Sequence, residues 1–162
     1  MKTILGIDPG LAKTGYGIVK IDNKKCVHVD HGVISTPSSE TTGQRLMRLH
    51  GRVTELIETY SPDEAAIEKI FFVKNISSAI PVAQACGVLF YLFEYKNMMV
   101  GEYTPKEIKQ AVVGTGSADK RQVQELVKML LGMKEIPNPD HAADALAVSL
   151  CHFNSREAKY LS

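Results

Sequence analysis

The order in which short strand-like runs and longer helix-like runs follow one another constrains this chain most. Residues 4–8 form a short apolar run that ends on Asp8. Residues 15–21 and 26–34 are two more runs, rich in Val and Ile, which suit a pleated surface. Asp22-Asn23-Lys24-Lys25 between them is turn chemistry and predicts a hairpin. After a polar loop at 37–42, Leu46, Leu49, Val53, Leu56 and Ile57 recur at helical spacing, which predicts an amphipathic helix over 43–60. Ser61-Pro62-Asp63 stops it. Strand and helix then alternate. A strand is expected over 65–71, then a helix over 79–96 capped by Ser77 or Ser78, with Pro81 in its first turn, then a strand over 98–103. Thr104-Pro105 opens a helix, Gly114-Thr115-Gly116-Ser117 is a loop, and Val123, Leu126, Val127, Leu130 and Leu131 mark another amphipathic helix. Asn138-Pro139 begins the last one, with Asn138 as its cap. Hairpins first and helical crossovers later predict an α/β layer fold, a mixed central sheet flanked by helices.

The length of 162 residues suits one domain with a full core, placed over 1–155, with 156–162 as a loose polar tail. A hydrophobic share of 44% argues against disorder. The longest apolar stretch, 82–93, carries Gln84 and falls short of the roughly 20 residues of a membrane span. The N-terminal run leads straight into Asp8 and does not resemble a signal peptide, so the expected compartment is the cytoplasm. Cys26, Cys86 and Cys151 are widely spaced, with no C-x-x-C pair, and read as buried apolar residues. A net charge of +1 neither marks nor excludes a nucleic-acid partner, because acidic site residues can offset a basic patch.

Four side chains stand out against this frame. Asp8 ends a strand in Gly6-Ile7-Asp8-Pro9-Gly10. Asp-Pro-Gly is also ordinary turn chemistry. Glu68 follows Ala65-Ala66-Ile67 in an apolar run, where a carboxylate is costly unless it is paired, protonated or bound to a metal. His141 and Asp144, three apart at the head of an Ala-rich helix, share nearly one face. Each has a plain structural explanation alone, but three distant segments that a sheet can gather point to one divalent-metal site. Phosphodiester hydrolysis uses such a site to neutralise phosphate charge, activate water and stabilise the leaving oxygen. Oxygen ligands suit Mg2+, and an imidazole favours Mn2+ or another transition ion. Asp140 shares a face with Asp144 and reads as a first-turn acid favoured by the helix dipole.

Basic and aromatic residues extend the set. Phe71 and Lys74 follow the Glu68 strand, where an aromatic is either core or a wedge into opened base pairs. The loop that ends in Asp119-Lys120-Arg121 is either a phosphate cradle using Lys120 or a plain connection. Lys106 and Lys109 lie about one helical turn apart, the usual pattern of a solvated face.

Taken in order, several segments resemble the RuvC family of crossover junction endodeoxyribonucleases, Holliday junction resolvases with an RNase H-like fold. They are Gly6-Ile7-Asp8-Pro9-Gly10, Thr14-Gly15-Tyr16-Gly17, Ala66-Ile67-Glu68 with Phe71 and Lys74-Asn75, Gln84-Ala85 with Gly87-Val88, the run from Lys109 to Lys120, and Ala142-Ala143-Asp144-Ala145-Leu146-Ala147. The resemblance implies Asp8, Glu68, His141 and Asp144 as catalytic metal ligands for one or two Mg2+ ions per subunit, with Mn2+ plausible; the third of these positions is Asp or His among relatives. It implies Lys109 and Lys120 at the DNA backbone and Phe71 near the crossover, with Lys74 as a further DNA contact. It also implies a homodimer acting on a four-way DNA junction alongside a branch-migration motor, in recombination and repair. Three rivals are weaker. A YqgF-type nuclease acting on structured RNA shares the first Asp strand but not the Gly-Ser-Ala-Asp-Lys loop or the His-x-x-Asp helix. An actin-like ATPase needs two such domains. A non-catalytic junction binder would not need the complete acidic set.

Overall fold

The computed structural model describes residues 1–70 and 75–160, and side chains up to 156. The described residues form five strands and five helices: β1 (Lys2–Asp8), β2 (Lys13–Asp22), β3 (Lys25–Ser35), α1 (Thr42–Tyr60), β4 (Glu64–Glu68), α2 (Ile76–Tyr95), β5 (Met99–Tyr103), α3 (Pro105–Val113), α4 (Lys120–Leu130) and α5 (Asp140–Tyr160). The sheet order is β3-β2-β1-β4-β5. β1, β2 and β3 pair antiparallel, while β4 lies parallel to both β1 and β5. Asn23 and Lys24 both take positive φ, 46° and 66°, in the two-residue β2–β3 loop. That backbone matches the right-handed twist of the flanking strands.

The two-residue period of a strand assigns each side chain to a layer. On β1, Leu5 and Ile7 pack with α1 and α2, while Ile4 packs with α3, α4 and α5. Gly6 and Asp8 share the Ile4 side. On β4, Ala65 and Ile67 face the α1–α2 layer and Ala66 the α5 layer, so Glu64 and Glu68 fall on the α5 side with it. Helix α5 is enclosed between sheet and outer helices, with Ala142, Ala143, Ala145, Leu146, Ala147 and Val148 all at 1% exposure or less. Small residues let it sit close. A Cβ on Gly6 would lie 2.2 Å from Ser149 Oγ and 2.3 Å from the Ala145 carbonyl oxygen. One on Gly15 would lie 1.9 Å from the His141 carbonyl oxygen.

Several expected boundaries move, each for a local reason. β4 ends at Glu68 rather than at residue 71; Lys69 N–H still donates to the Tyr103 carbonyl (2.8 Å), after which β5 has no more residues to pair. α2 starts at Ile76 because the Asn75 side chain caps it, accepting from Ser77 N–H at 3.1 Å, so Pro81 lies in the second turn. Its full length makes α2 apolar and long enough to cross a membrane by length and composition, against the expectation drawn from 82–93. In the fold one side of α2 packs into the core through Ala85, Cys86, Leu89, Leu92 and Phe93. In α5 the first helical N–H groups, those of Ala142 and Ala143, bond to the Pro139 carbonyl, so the cap falls one residue later than expected. At its other end α5 stays helical to Tyr160, through residues expected to be a loose tail. Asn154 there donates to the Ala111 carbonyl at 2.9 Å, and Arg156 pairs with Glu64. The three cysteines are free and buried.

Candidate metal and nucleic-acid site

β1 and β4 are the adjacent parallel strands between which the chain changes direction across the sheet, a crevice position that often holds ligands in open α/β sheets. Asp8 and Glu68 are the last residues of these strands, on the face that α5 covers. The first turns of α5 bring His141 and Asp144 over the same point. Ligand atoms of Asp8, His141 and Asp144 all lie within 4.8 Å of one another. His141 Nδ1 is 2.8 Å from Asp8 Oδ2. Side-chain exposure rises from 14% at Asp8 through 34% at Asp144 to 46% at His141, so the cluster opens to solvent on the His141 side.

Electrostatics tie Glu68 to this cluster. Burial, then the Asp8 charge, a hydrogen bond shared with Asp8 and the Asp144 charge push the Glu68 carboxyl up to about 8, against the opposing Lys120 charge. Burial and Asp8 also raise Asp144, with Lys120 and His141 pulling the other way. Like charges in a part-buried cleft cannot all ionise without a cation among them. This crowding, with an oxygen-rich donor set and one imidazole, fits a hard or borderline divalent ion.

Lys120 is the first residue of α4, whose N-cap is Asp119 in a reciprocal box with Gln122. The loop before α4 therefore has an ordinary structural job, and it also delivers a cation to the site. Lys120 Nζ lies 3.4 Å from Asp144 Oδ2 and 3.3 Å from Asp140 Oδ2. Burial works against the ammonium, but the two carboxylates outweigh it and raise the Lys120 pKa. Asp140 is lowered by hydrogen bonds from Lys120 and Gln124, so it is a partner of Lys120 as well as a first-turn acid. Lys109 and Lys120 both line a cavity of about 280 Å³ whose wall includes Glu68 and Asp144. A second cavity, about 470 Å³, flanks His141 and carries Lys13, Arg45 and Ser78. No local sequence signal marked Lys13 or Arg45, because only the fold brings α1 beside the Pro9-Gly10 turn. Phe71 and Lys74 lie outside the described residues.

Fold and cluster define a class: an RNase H-like α/β domain with an acidic site of the kind that binds divalent cations. A family model for the crossover junction endodeoxyribonuclease RuvC matches residues 4–152. The crossover junction endodeoxyribonuclease RuvC of Treponema denticola is 50% identical over 151 residues, covering 93% of this chain and 85% of that protein. That of Thermotoga maritima is 48% identical over 149 residues, covering 92% and 89%. Among solved structures, Thermus thermophilus RuvC in complex with a Holliday junction substrate is similar with a TM-score of 0.91 and 34% identity, covering 98% of this chain and 97% of that one. The chain belongs to the RuvC family of crossover junction endodeoxyribonucleases.

Proposed function

We propose that this protein resolves four-way (Holliday) DNA junctions by paired, metal-dependent phosphodiester hydrolysis in recombination and repair. The observation that carries the reading is its likeness, over 98% of its length, to a RuvC solved with a Holliday junction substrate. In this reading Asp8, Glu68, His141 and Asp144 hold one or two Mg2+ ions per subunit, with Mn2+ accepted because of the imidazole. The ions supply phosphate neutralisation and an activated water. The protein's own residues do the rest. Asp8, the least exposed of the three clustered ligands, anchors the group. Glu68 would serve as a ligand in its carboxylate form, so binding there would be linked to loss of the proton that burial and Asp8 favour. Lys109 and Lys120, on the wall of the same cavity, take the phosphate oxygens beside the reacting one. Lys13 and Arg45 guide the strand past His141. Phe71 and Lys74 are assigned to the crossover and its backbone.

Residues 1–155 are read as the nuclease domain, acting as a homodimer suited to a substrate with two-fold symmetry. The face supporting that reading lies between α1 and α2. Leu46, Met47, Val88 and Tyr91 line an open apolar groove there, with Met47 76% and Tyr91 66% exposed. A branch-migration motor is the expected partner, and the cytoplasm the expected compartment. The experiment offers a fixed-core four-way junction, a linear duplex of the same sequence and a structured RNA, with Mg2+, with Mn2+ and with chelator. Paired nicks near the crossover, only with metal and only on the junction, are expected. Preferential cutting of the RNA would instead favour the YqgF-type reading.

A further inference from the structure

A second cluster of charged groups lies on the same elements as the metal site, at their opposite ends. Glu64 opens β4, four residues before Glu68 and about 13 Å from it along the strand. It is 4% exposed. Its carboxylate accepts from Lys2 Nζ of β1 at 3.1 Å, from His152 Nε2 of α5 at 2.8 Å and from Arg156 Nε of α5 at 2.9 Å. His152 Nδ1 is in turn 2.7 Å from the Tyr103 hydroxyl of β5. Burial works against the Glu64 charge, but the hydrogen bonds from His152 and Lys2 and the charges of Arg156 and Lys2 hold its carboxyl below the ordinary range.

The placement matters because of what lies at the other end. His152 is eight residues beyond Asp144 on α5, about 12 Å along the helix, much the same distance as Glu64 from Glu68. The strand and the helix are thus joined at one end by direct ion pairs, while at the other they meet through the crowded carboxyl groups of Glu68 and Asp144. Between the two ends the α5-facing side of β4 carries only the small side chain of Ala66. Lys2 extends the network to β1, the strand that carries Asp8. Every element that carries one of the proposed metal ligands is therefore tied into this second cluster.

We propose that Glu64 and His152 are positioning residues: their buried network sets the spacing of β4 from α5 and so holds Glu68, Asp144 and His141 at the separation a divalent cation needs. The inference rests on those residues, with Asp8, being the metal ligands. Groups that hydrogen-bond directly to a metal's ligands change its affinity by about 10- to 100-fold; Glu64 and His152 act from the far ends of the same elements, so the low end of that range is the expected size.

The test is Mn2+ binding to the protein without DNA, followed by the electron paramagnetic resonance of free Mn2+, with a melting curve for each variant and binding measured well below its Tm. Glu64→Gln keeps the volume and loses the charge. His152→Leu removes the donor, and His152→Gln restores one. Val53→Ala, in the α1–α2 layer, is a control that lowers stability away from the network. The expected result is Mn2+ affinity about tenfold weaker in Glu64→Gln and His152→Leu, partly recovered in His152→Gln and unchanged in Val53→Ala. Wild-type affinity in both Glu64→Gln and His152→Leu, or an equal loss in Val53→Ala at matched Tm, overturns the proposal and leaves the site assignment standing. Wild-type Mn2+ affinity in Asp8→Asn overturns the site assignment and the proposal together.

Discussion

Gly15→Ala is a small change that should disturb both the seating of α5 and the site that its first turn carries. Gly15 pairs with Asp8 across the β1–β2 ladder and faces the first turn of α5. An added Cβ would stand 1.9 Å from the His141 carbonyl oxygen and 3.1 Å from His141 Cβ. Ordinary contact begins at 3.4 Å, so the head of α5 must retreat by about 1.5 Å. The obstacle is backbone, so no rotamer change relieves it. Overpacking of this kind costs about 1–3 kcal/mol. A misplacement of about 1 Å at reacting groups can cost about 100-fold in rate. Gly15→Ala should therefore lower Tm by several degrees and reduce junction cleavage about 100-fold at saturating metal. Gly51→Ala is the comparison: nothing lies within 4 Å of its Cβ, and it sits inside α1. There Ala should stabilise the helix by about 0.5–1 kcal/mol and leave cleavage alone. Calorimetry and single-turnover cleavage read both effects. Wild-type stability and rate in Gly15→Ala would refute the argument that α5 is seated on the sheet by the absence of that side chain.

Three further outcomes are expected. Lys120→Ala should weaken junction binding and flatten the plot of log affinity against log salt by about 0.9, the loss of one phosphate contact; an unchanged slope would leave Lys120 only its pairing with Asp140 and Asp144. His141→Asp should shift metal preference toward Mg2+, because an imidazole favours Mn2+, and cleavage rates against each metal would reveal identical preferences if His141 is not a ligand. Because the folded Glu64 carboxyl titrates below its unfolded value, its stabilisation is present above the ordinary Glu range of about 4.3 and is lost as pH falls through the folded pKa. Glu64→Gln should accordingly show a shallower loss of stability in acid than wild type in denaturant titrations, and parallel curves would contradict that.

Much of the candidate site was legible because strand periodicity and a carboxylate in an apolar run carry physical information. Asp8 ends an apolar run, Glu68 follows another, inside the strand expected over 65–71 rather than at its end, and i,i+3 spacing puts His141 and Asp144 on one helix face. What escaped the sequence depended on distance in space. Glu64 borders Asp63 and reads as one more loop acid, and only the return of α5 supplies the partners that bury it. Asp140 satisfies a helix-dipole explanation so well that its bond to Lys120 is invisible before α4 is placed. The start of α2 was missed because two serines compete with Asn75 as caps, and Asn has the side chain that reaches Ser77 N–H. Residues 156–160 of the expected tail continue α5, whose end is held by Asn154 on α3 and Arg156 on β4, contacts that residue polarity cannot announce.

The central claim is that these four residues hold the metal that cuts junction phosphodiesters, while affinity for the junction comes mainly from contacts elsewhere. The direct measurement pairs two assays on Asp8→Asn and Glu68→Gln: junction binding with Ca2+ in place of the active ion, and single-turnover cleavage with Mg2+ and Mn2+. The account predicts junction affinity near wild type for both variants and cleavage abolished with either metal. Metal-dependent cleavage at close to the wild-type rate by either variant would contradict it.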